Sequence, residues 1–171
     1  MAYKRPSIIQ SVSIPNVLEK PDTNFMFQAI NGSGKTGAYG VPSLMKVDKL
    51  NPKIQVIILA NTRELIRQIY SVLEIFNSSY GVTIIVGETK ADIDKSQILI
   101  TVPGYLKNKL TDRKKTLDLS SLKMVVYDEA DELFIQKDNH ECYLRLQEHL
   151  KKIDCKPQHC MYSATFNDDV M

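Results

Sequence analysis

Between Phe25 and Thr36 the chain passes from an apolar run, Phe25-Met26-Phe27, through Ala29-Ile30-Asn31-Gly32-Ser33-Gly34 to Lys35-Thr36, where helical spacing begins. A strand, a glycine-bearing loop and a helix in that order wrap backbone N–H groups around a polyphosphate. Gly32 and Gly34 can take positive φ and, lacking Cβ atoms, let the backbone approach phosphate oxygens closely. Lys35 offers a point charge to the β- and γ-phosphates and Thr36 a hydroxyl ligand for Mg²⁺. The generic loop template has glycine where Ala29 stands, so the match is imperfect by one position. The bland alternative is a glycine-rich turn with a solvated lysine.

The remaining chain supplies the sheet that such a loop needs. Val56-Ile57-Ile58-Leu59-Ala60 is a continuous apolar run, as a strand buried on both faces requires. Asn61-Thr62-Arg63-Glu64 then opens a helix whose stripe is Leu65, Ile66, Ile69, Val72, Leu73 and Phe76. Short strands are predicted at Thr83–Val86 and Ile98–Ile100, the second followed by Pro103-Gly104 turn chemistry. Met124–Tyr127 is a further strand, ending at Asp128-Glu129-Ala130-Asp131; Tyr143–Leu150 is an amphipathic helix; His159–Tyr162 rises into Ser163-Ala164-Thr165. Near the start, Pro6 begins a helix whose apolar face includes Ile9, and a second short apolar piece, Ile14–Leu18, precedes a turn at Pro21–Asn24. The helix over Lys35–Val47 carries Gly37, Gly40 and Pro42; each glycine weakens it by up to about 1 kcal/mol relative to alanine, so packing has to hold it. Alternating strands and helices predict an α/β fold, a mostly parallel sheet with helices on both faces. In such sheets ligands sit beyond the carboxyl ends of the strands, and all five polar motifs fall there.

At 171 residues the chain suits one domain with a substantial core, and its 43% hydrophobic and 25% charged residues are ordinary for a globular protein. A net charge of +2 gives no whole-chain field for a polyanion, so nucleic-acid contact has to be local. The densest basic run, Arg113-Lys114-Lys115, reads as a solvated loop. His140, Cys142, Cys155, His159 and Cys160 match no zinc spacing, and neighbours His159 and Cys160 on a strand face opposite ways. The polar opening Met1–Pro6 is no signal peptide, and no apolar stretch reaches membrane-spanning length. A reducing intracellular compartment is the default expectation.

A hydrophobic strand ending in Asp128-Glu129, downstream of the phosphate loop, completes an ATPase site: the aspartate holds Mg²⁺ and the glutamate orients and deprotonates water. Asp128-Glu129-Ala130-Asp131 resembles the signature of the DEAD-box RNA helicases, and the family's other motifs follow in order. Pro6–Gln10 is similar to its adenine-reading glutamine segment, with Tyr3 where an aromatic is usual. Ala29 is the residue with which that family starts its loop. Thr62-Arg63-Glu64-Leu65 resembles its first RNA-backbone motif, and Ser163-Ala164-Thr165 the motif coupling hydrolysis to strand separation. The resemblance spans essentially all 171 residues.

It implies a RecA-like P-loop domain that takes ATP and Mg²⁺. Gln10, Ala29, Asn31, Gly32, Ser33, Gly34, Lys35 and Thr36 would bind nucleotide, with Thr36 and Asp128 on the metal. Lys35, Asp128 and Glu129 would be catalytic. Thr62, Arg63, Glu64, Pro103 and Gly104 would contact RNA through its backbone. Asp131, Ser163, Ala164 and Thr165 would couple the site to a second RecA-like domain, which is missing from this chain and normally supplies arginine fingers. The expected product is a monomeric RNA helicase or RNA–protein remodelling ATPase with protein activators, without a membrane. As an isolated half it would be nearly inactive. Arg-Pro-Ser-x-Ile-Gln, Leu-Asp-Leu-Ser and Ser-Ala-Thr-Phe-x-Asp look most like the branch acting in mRNA export at the nuclear pore, which implies the cytoplasm, the nucleus or both, with the nuclear pore as one site. Several positions depart from the pattern. Asn61 replaces proline, Val102 and Tyr105 replace threonine and arginine around Pro103-Gly104, and Gly87-Glu88 replaces a double glycine. The adenine-stacking aromatic would precede Met1. Two rivals remain: a P-loop DNA helicase or other motor, separated by RNA against DNA stimulation, and a non-catalytic RNA clamp, which has no need of Glu129.

Overall fold

The computed structural model describes residues 5–88, 93–112 and 117–165; Tyr3 and the Arg113–Lys115 run lie outside them. Six strands, β1 (Phe25–Gln28), β2 (Val56–Leu59), β3 (Ile84–Val86), β4 (Ile98–Thr101), β5 (Met124–Asp128) and β6 (Gln158–Ser163), form one sheet in the order β1-β6-β5-β2-β4-β3. Every pairing is parallel. The order reverses where β2 follows β5, and all polar motifs stand at the carboxyl edge.

Alternate strand residues enter two cores. Val56, Ile58, Ile98, Ile100, Met124 and Val126 pack on one face; Ile57, Leu59, Leu99, Val125 and Tyr127 pack on the other. This two-sided burial explains the continuous apolar runs, at about 1.5–3 kcal/mol for each large side chain removed from water. Helices α1 (Ile8–Glu19), α2 (Lys35–Lys46) and α3 (Arg63–Asn77) cover the first face in contact with one another. Helices α4 (Pro103–Thr111), α5 (Ala130–Ile135) and α6 (Lys137–Lys152) cover the second. Cys160 sits in the first core, whereas His159 faces the other way and meets the Tyr127 hydroxyl at 3.0 Å.

Several elements differ from the sequence expectation. Ile9 and Ile14–Leu18 belong to a single helix, α1, which runs through Pro15. Pro103-Gly104 is not a turn between elements: Pro103 is the first residue of α4, where its fixed φ suits helix initiation and its missing N–H has no intrahelical acceptor. Helix α6 starts six residues before Tyr143, and α5 precedes it directly after the Asp128-Glu129 corner. Helix α2 is held by packing, as its composition demands. Pro42 leaves the Ala38 carbonyl without its helical donor, and the buried Ser13 hydroxyl of α1 donates to it instead at 3.4 Å. A Cβ on Gly40 would lie 2.9 Å from Leu73 Cδ1, so the glycine permits the close approach of α3.

Candidate active site

The loop leaving β1 reaches α2 through two left-handed glycines, Gly32 at φ 78° and Gly34 at φ 94°. Gly34 is the N-cap of α2, so the first N–H groups of the helix, those of Lys35 and Thr36 among them, point into the loop without intrahelical acceptors. These dipoles and a lysine form an anion cradle. Lys35 is only 7% exposed; its Nζ donates to the Asn31 side-chain oxygen at 2.8 Å and to the Ala29 carbonyl at 3.1 Å. Glu129 Oε1 lies 3.4 Å from the same nitrogen. Gln10 lies under the loop. Its Oε1 accepts from the Ser7 backbone N–H at 3.0 Å, completing a capping box, and its Nε2 donates to the Gly34 carbonyl at 3.1 Å. The glutamine thus braces the phosphate loop against α1.

Asp128 ends β5 and is 6% exposed. The hydroxyl of Tyr39, fully buried in α2, donates to its Oδ2 at 2.9 Å, while Oδ1 is buried without a hydrogen-bond partner among the described residues. Burial pushes the Asp128 carboxyl up to about 6. The charge of Glu129 acts in the same direction, against the Tyr39 hydroxyl and Lys35. Glu129 itself adopts φ 50°, ψ 54°, a left-handed conformation that costs a residue with a Cβ about 1–2 kcal/mol and turns the chain sharply into α5. Gln10, Asn31, Gly32, Gly34, Lys35, Thr36, Asp128 and Glu129 all line one open cleft of about 330 Å³.

The orphaned Asp128 oxygen and the Thr36 hydroxyl in one cleft with a phosphate cradle fit a hard, oxygen-seeking divalent cation. Ser33 Oγ is a second buried oxygen without a partner among the described residues. Asp131 and Thr165 meet across the next strand end, Thr165 Oγ1 donating to Asp131 Oδ2 at 2.5 Å, and the Thr165 N–H donates to Ser163 Oγ at 3.2 Å. This corner is tied to the phosphate loop: the Ala29 N–H donates to the Ser163 carbonyl at 2.9 Å, and Gln28 Nε2 to the Ala164 carbonyl at 3.2 Å.

The third group of candidates lies further along the edge. Thr62 is the N-cap of α3 and accepts from the Leu65 N–H at 3.2 Å; Arg63 is exposed. Glu64 is exposed in the first turn of α3. Pro103 is buried, and Gly104 faces open space. Asn61 bridges Glu132 and Asn139. Tyr39 falls inside the helix predicted over Lys35–Val47, but nothing local in the sequence signals that its hydroxyl reaches Asp128.

Comparison with known proteins agrees with this geometry. The family model of the DEAD/DEAH box helicases matches residues 7–171. The ATP-dependent RNA helicase DBP5 of Yarrowia lipolytica is 34% identical over 175 residues, which take in 100% of this chain and 35% of that protein. S. cerevisiae Dbp5 bound to RNA and ADP BeF3 superposes with a TM-score of 0.86 at 31% identity, covering 98% of this chain and 43% of that one. A variant of the same yeast protein, bound to Nup159, a Gle1 variant, IP6 and ADP, gives a TM-score of 0.85 at 30% identity over 98% of this chain and 44% of that one. The chain spans about a third of the length of the curated relatives it matches.

Proposed function

This chain belongs to the DEAD/DEAH box helicase family, and from that premise we propose that it is the ATP-binding half of an ATP-dependent RNA helicase. The observation that carries the reading is the convergence of Lys35, Asp128 and Glu129 on the cleft at the mouth of the glycine loop. Gly32, Ser33, Gly34 and the first turn of α2 hold the phosphates, and Lys35, aimed by Asn31 and Ala29, supplies positive charge to them. Thr36 and Asp128 would hold Mg²⁺, which when bound offsets the charge of the β- and γ-phosphates. Glu129 orients the attacking water and takes its proton. Gln10, fixed beside the loop, reads the adenine edge with the donor and acceptor capacity its internal bonds leave over.

Thr62, Arg63, Glu64, Pro103 and Gly104 lie along the RNA track, and Asp131, Ser163, Ala164 and Thr165 relay the state of the nucleotide. A second RecA-like domain in the same polypeptide closes over the cleft and brings arginine fingers, worth about 10³–10⁵ in rate, so residues 1–171 alone turn ATP over negligibly. The likeness to Dbp5, one form of which is solved with Nup159 and Gle1, supports a role in mRNA export at the nuclear pore with protein activators. No helix among the described residues is long and apolar enough to cross a membrane.

The test is the full-length protein and its Glu129→Gln variant. RNA, and not DNA, should stimulate ATP hydrolysis by the unchanged protein. The variant should bind ATP yet hydrolyse it at least about 10²-fold more slowly. Unchanged turnover in the variant refutes the role of Glu129, and stimulation by DNA alone moves the protein to another class of motor.

A further inference from the structure

Along the same edge of the sheet, Glu88 beyond β3 meets two arginines of α3, Arg63 and Arg67. Glu88, just beyond β3, is only 12% exposed, with Oε1 2.6 Å from Arg67 Nε and Oε2 3.6 Å from Arg63 Nε. The two arginines, one turn apart on α3, are 70% and 62% exposed. This inverts a solvated surface ion pair: the anion is recessed and the cations stand over it. Both approaches to Glu88 run through Nε, the inner nitrogen of a guanidinium that has further N–H donors on its Nη atoms. Like charges at i, i+4 repel, and a carboxylate shared between them offsets that repulsion.

The anchor beneath is rigid. The Gly87 N–H donates to the Ile100 carbonyl at 2.8 Å. A Cβ on Gly87 would lie 2.5 Å from Thr101 Oγ1 and 3.0 Å from Tyr105 Cδ1. The backbone just before Glu88 therefore packs closely against β4 and α4. We propose that Arg63 and Arg67, set side by side by Glu88, form a two-guanidinium clamp for one phosphodiester of the RNA strand. Arg67 is a contact residue that the motif around Arg63 does not include, and Glu88 is a positioning residue. A phosphodiester suits the site, being a singly charged anion with two free oxygens that guanidinium forks grip in a fixed geometry. The inference rests on the RNA-helicase reading above.

Fluorescence anisotropy of a labelled single-stranded oligouridylate, with the full-length protein and a non-hydrolysable ATP analogue, tests it across a salt series. Arg67→Ala should weaken binding about tenfold and reduce the salt slope by about 0.7, the share of one phosphate contact on a single strand. Arg67→Lys should keep the slope while losing most of the affinity. Glu88→Gln separates positioning from simple charge: it makes the surface more positive, so charge alone predicts tighter binding, whereas loss of positioning predicts weaker binding. Weaker binding by Glu88→Gln supports the clamp, and tighter binding overturns it by making Glu88 a competitor for the arginines. RNA binding that Arg67→Ala leaves unchanged in affinity and slope overturns the clamp alone; no RNA binding by the unchanged protein overturns the helicase reading and the clamp with it. Melting temperatures of all variants identify any loss that comes from unfolding.

Discussion

Asp128→Asn should stabilise the nucleotide-free domain at neutral pH. The Asp128 carboxyl is raised from 3.8 to about 6 in the folded chain, chiefly by burial, and each pH unit that separates the folded from the unfolded pKa is worth about 1.4 kcal/mol. Above pH 6 both folded and unfolded states are ionised, and the folded state carries the full penalty, about 3 kcal/mol. As the pH falls below 6 the folded carboxyl takes up its proton before the unfolded one does. The penalty then shrinks to about 1 kcal/mol at pH 4.5 and vanishes below the unfolded value. Asparagine keeps an oxygen for the Tyr39 hydroxyl and carries no charge. The variant should therefore melt about 6–12 °C above the parent at pH 7.5, and its lead should narrow to about 2–4 °C at pH 4.5. The assay is thermal denaturation of the 171-residue chain by circular dichroism, without nucleotide or divalent ions. A variant less stable than the parent at pH 7.5, or a lead that does not narrow on acidification, would refute the argument. Adding Mg²⁺ and ATP should raise the melting temperature of the parent more than that of the variant, because only the parent keeps the carboxylate.

Three further substitutions probe the supports of the site. Tyr39→Phe removes the donor to Asp128 Oδ2 and leaves a buried charged acceptor unsatisfied; urea unfolding at pH 7.5 should show a loss of about 1–3 kcal/mol, smaller in the Asp128→Asn background. Gly37→Ala places a Cβ 2.6 Å from Gln10 Nε2 and should detach Gln10 from the Gly34 carbonyl. The gain of about 1 kcal/mol in helix propensity offsets the lost bond, so urea unfolding should change little while fluorescent-nucleotide titration shows weaker binding. Asp154→Gly, at the left-handed residue following α6, should raise the urea midpoint by about 1 kcal/mol of stability; its ion pair with Lys156 is fully exposed and contributes little.

The parts of the fold that were legible in the sequence are those whose burial has a simple period. Strands β2, β4 and β5 announced themselves as unbroken apolar runs because both of their faces meet helices. Helix α3 did so because one stripe faces the sheet. The signal failed at two helix boundaries: Pro103 starts α4 although it reads as a turn, and Ile14–Leu18 continues the helix that holds Ile9 although it reads as a separate piece. The opening residues of α6, Lys137–Glu141, are mostly polar and solvent-facing, so no stripe marks where that helix begins. The phosphate loop and Asp128–Asp131 were legible because their chemistry is local in sequence. Tyr39, Glu88 and Arg67 were not, since their partners lie on other elements and only the register of a parallel sheet brings them together.

The ligand-free site is held together by internal substitutes for what it is proposed to bind. Glu129 lies 3.4 Å from Lys35, giving the lysine a carboxylate where a phosphate oxygen would come. On the proposed reading, a triphosphate entering the loop would compete for Lys35 and release Glu129, so the step that seats the substrate would also free the base. Glu129 is the N-cap of α5, and Asp131, two residues on, is held by Thr165, whose strand is bonded to the phosphate loop through Ala29 and Gln28. Glu129 caps a helix of only six residues in a left-handed conformation, so the cap and Asp131 lie within one turn of each other. On that reading two short routes would connect the glycine loop to Thr165, one through α5 and one through β1. If the site works as proposed, this closed circuit of hydrogen bonds is the shortest path by which hydrolysis at one end would be read at the other.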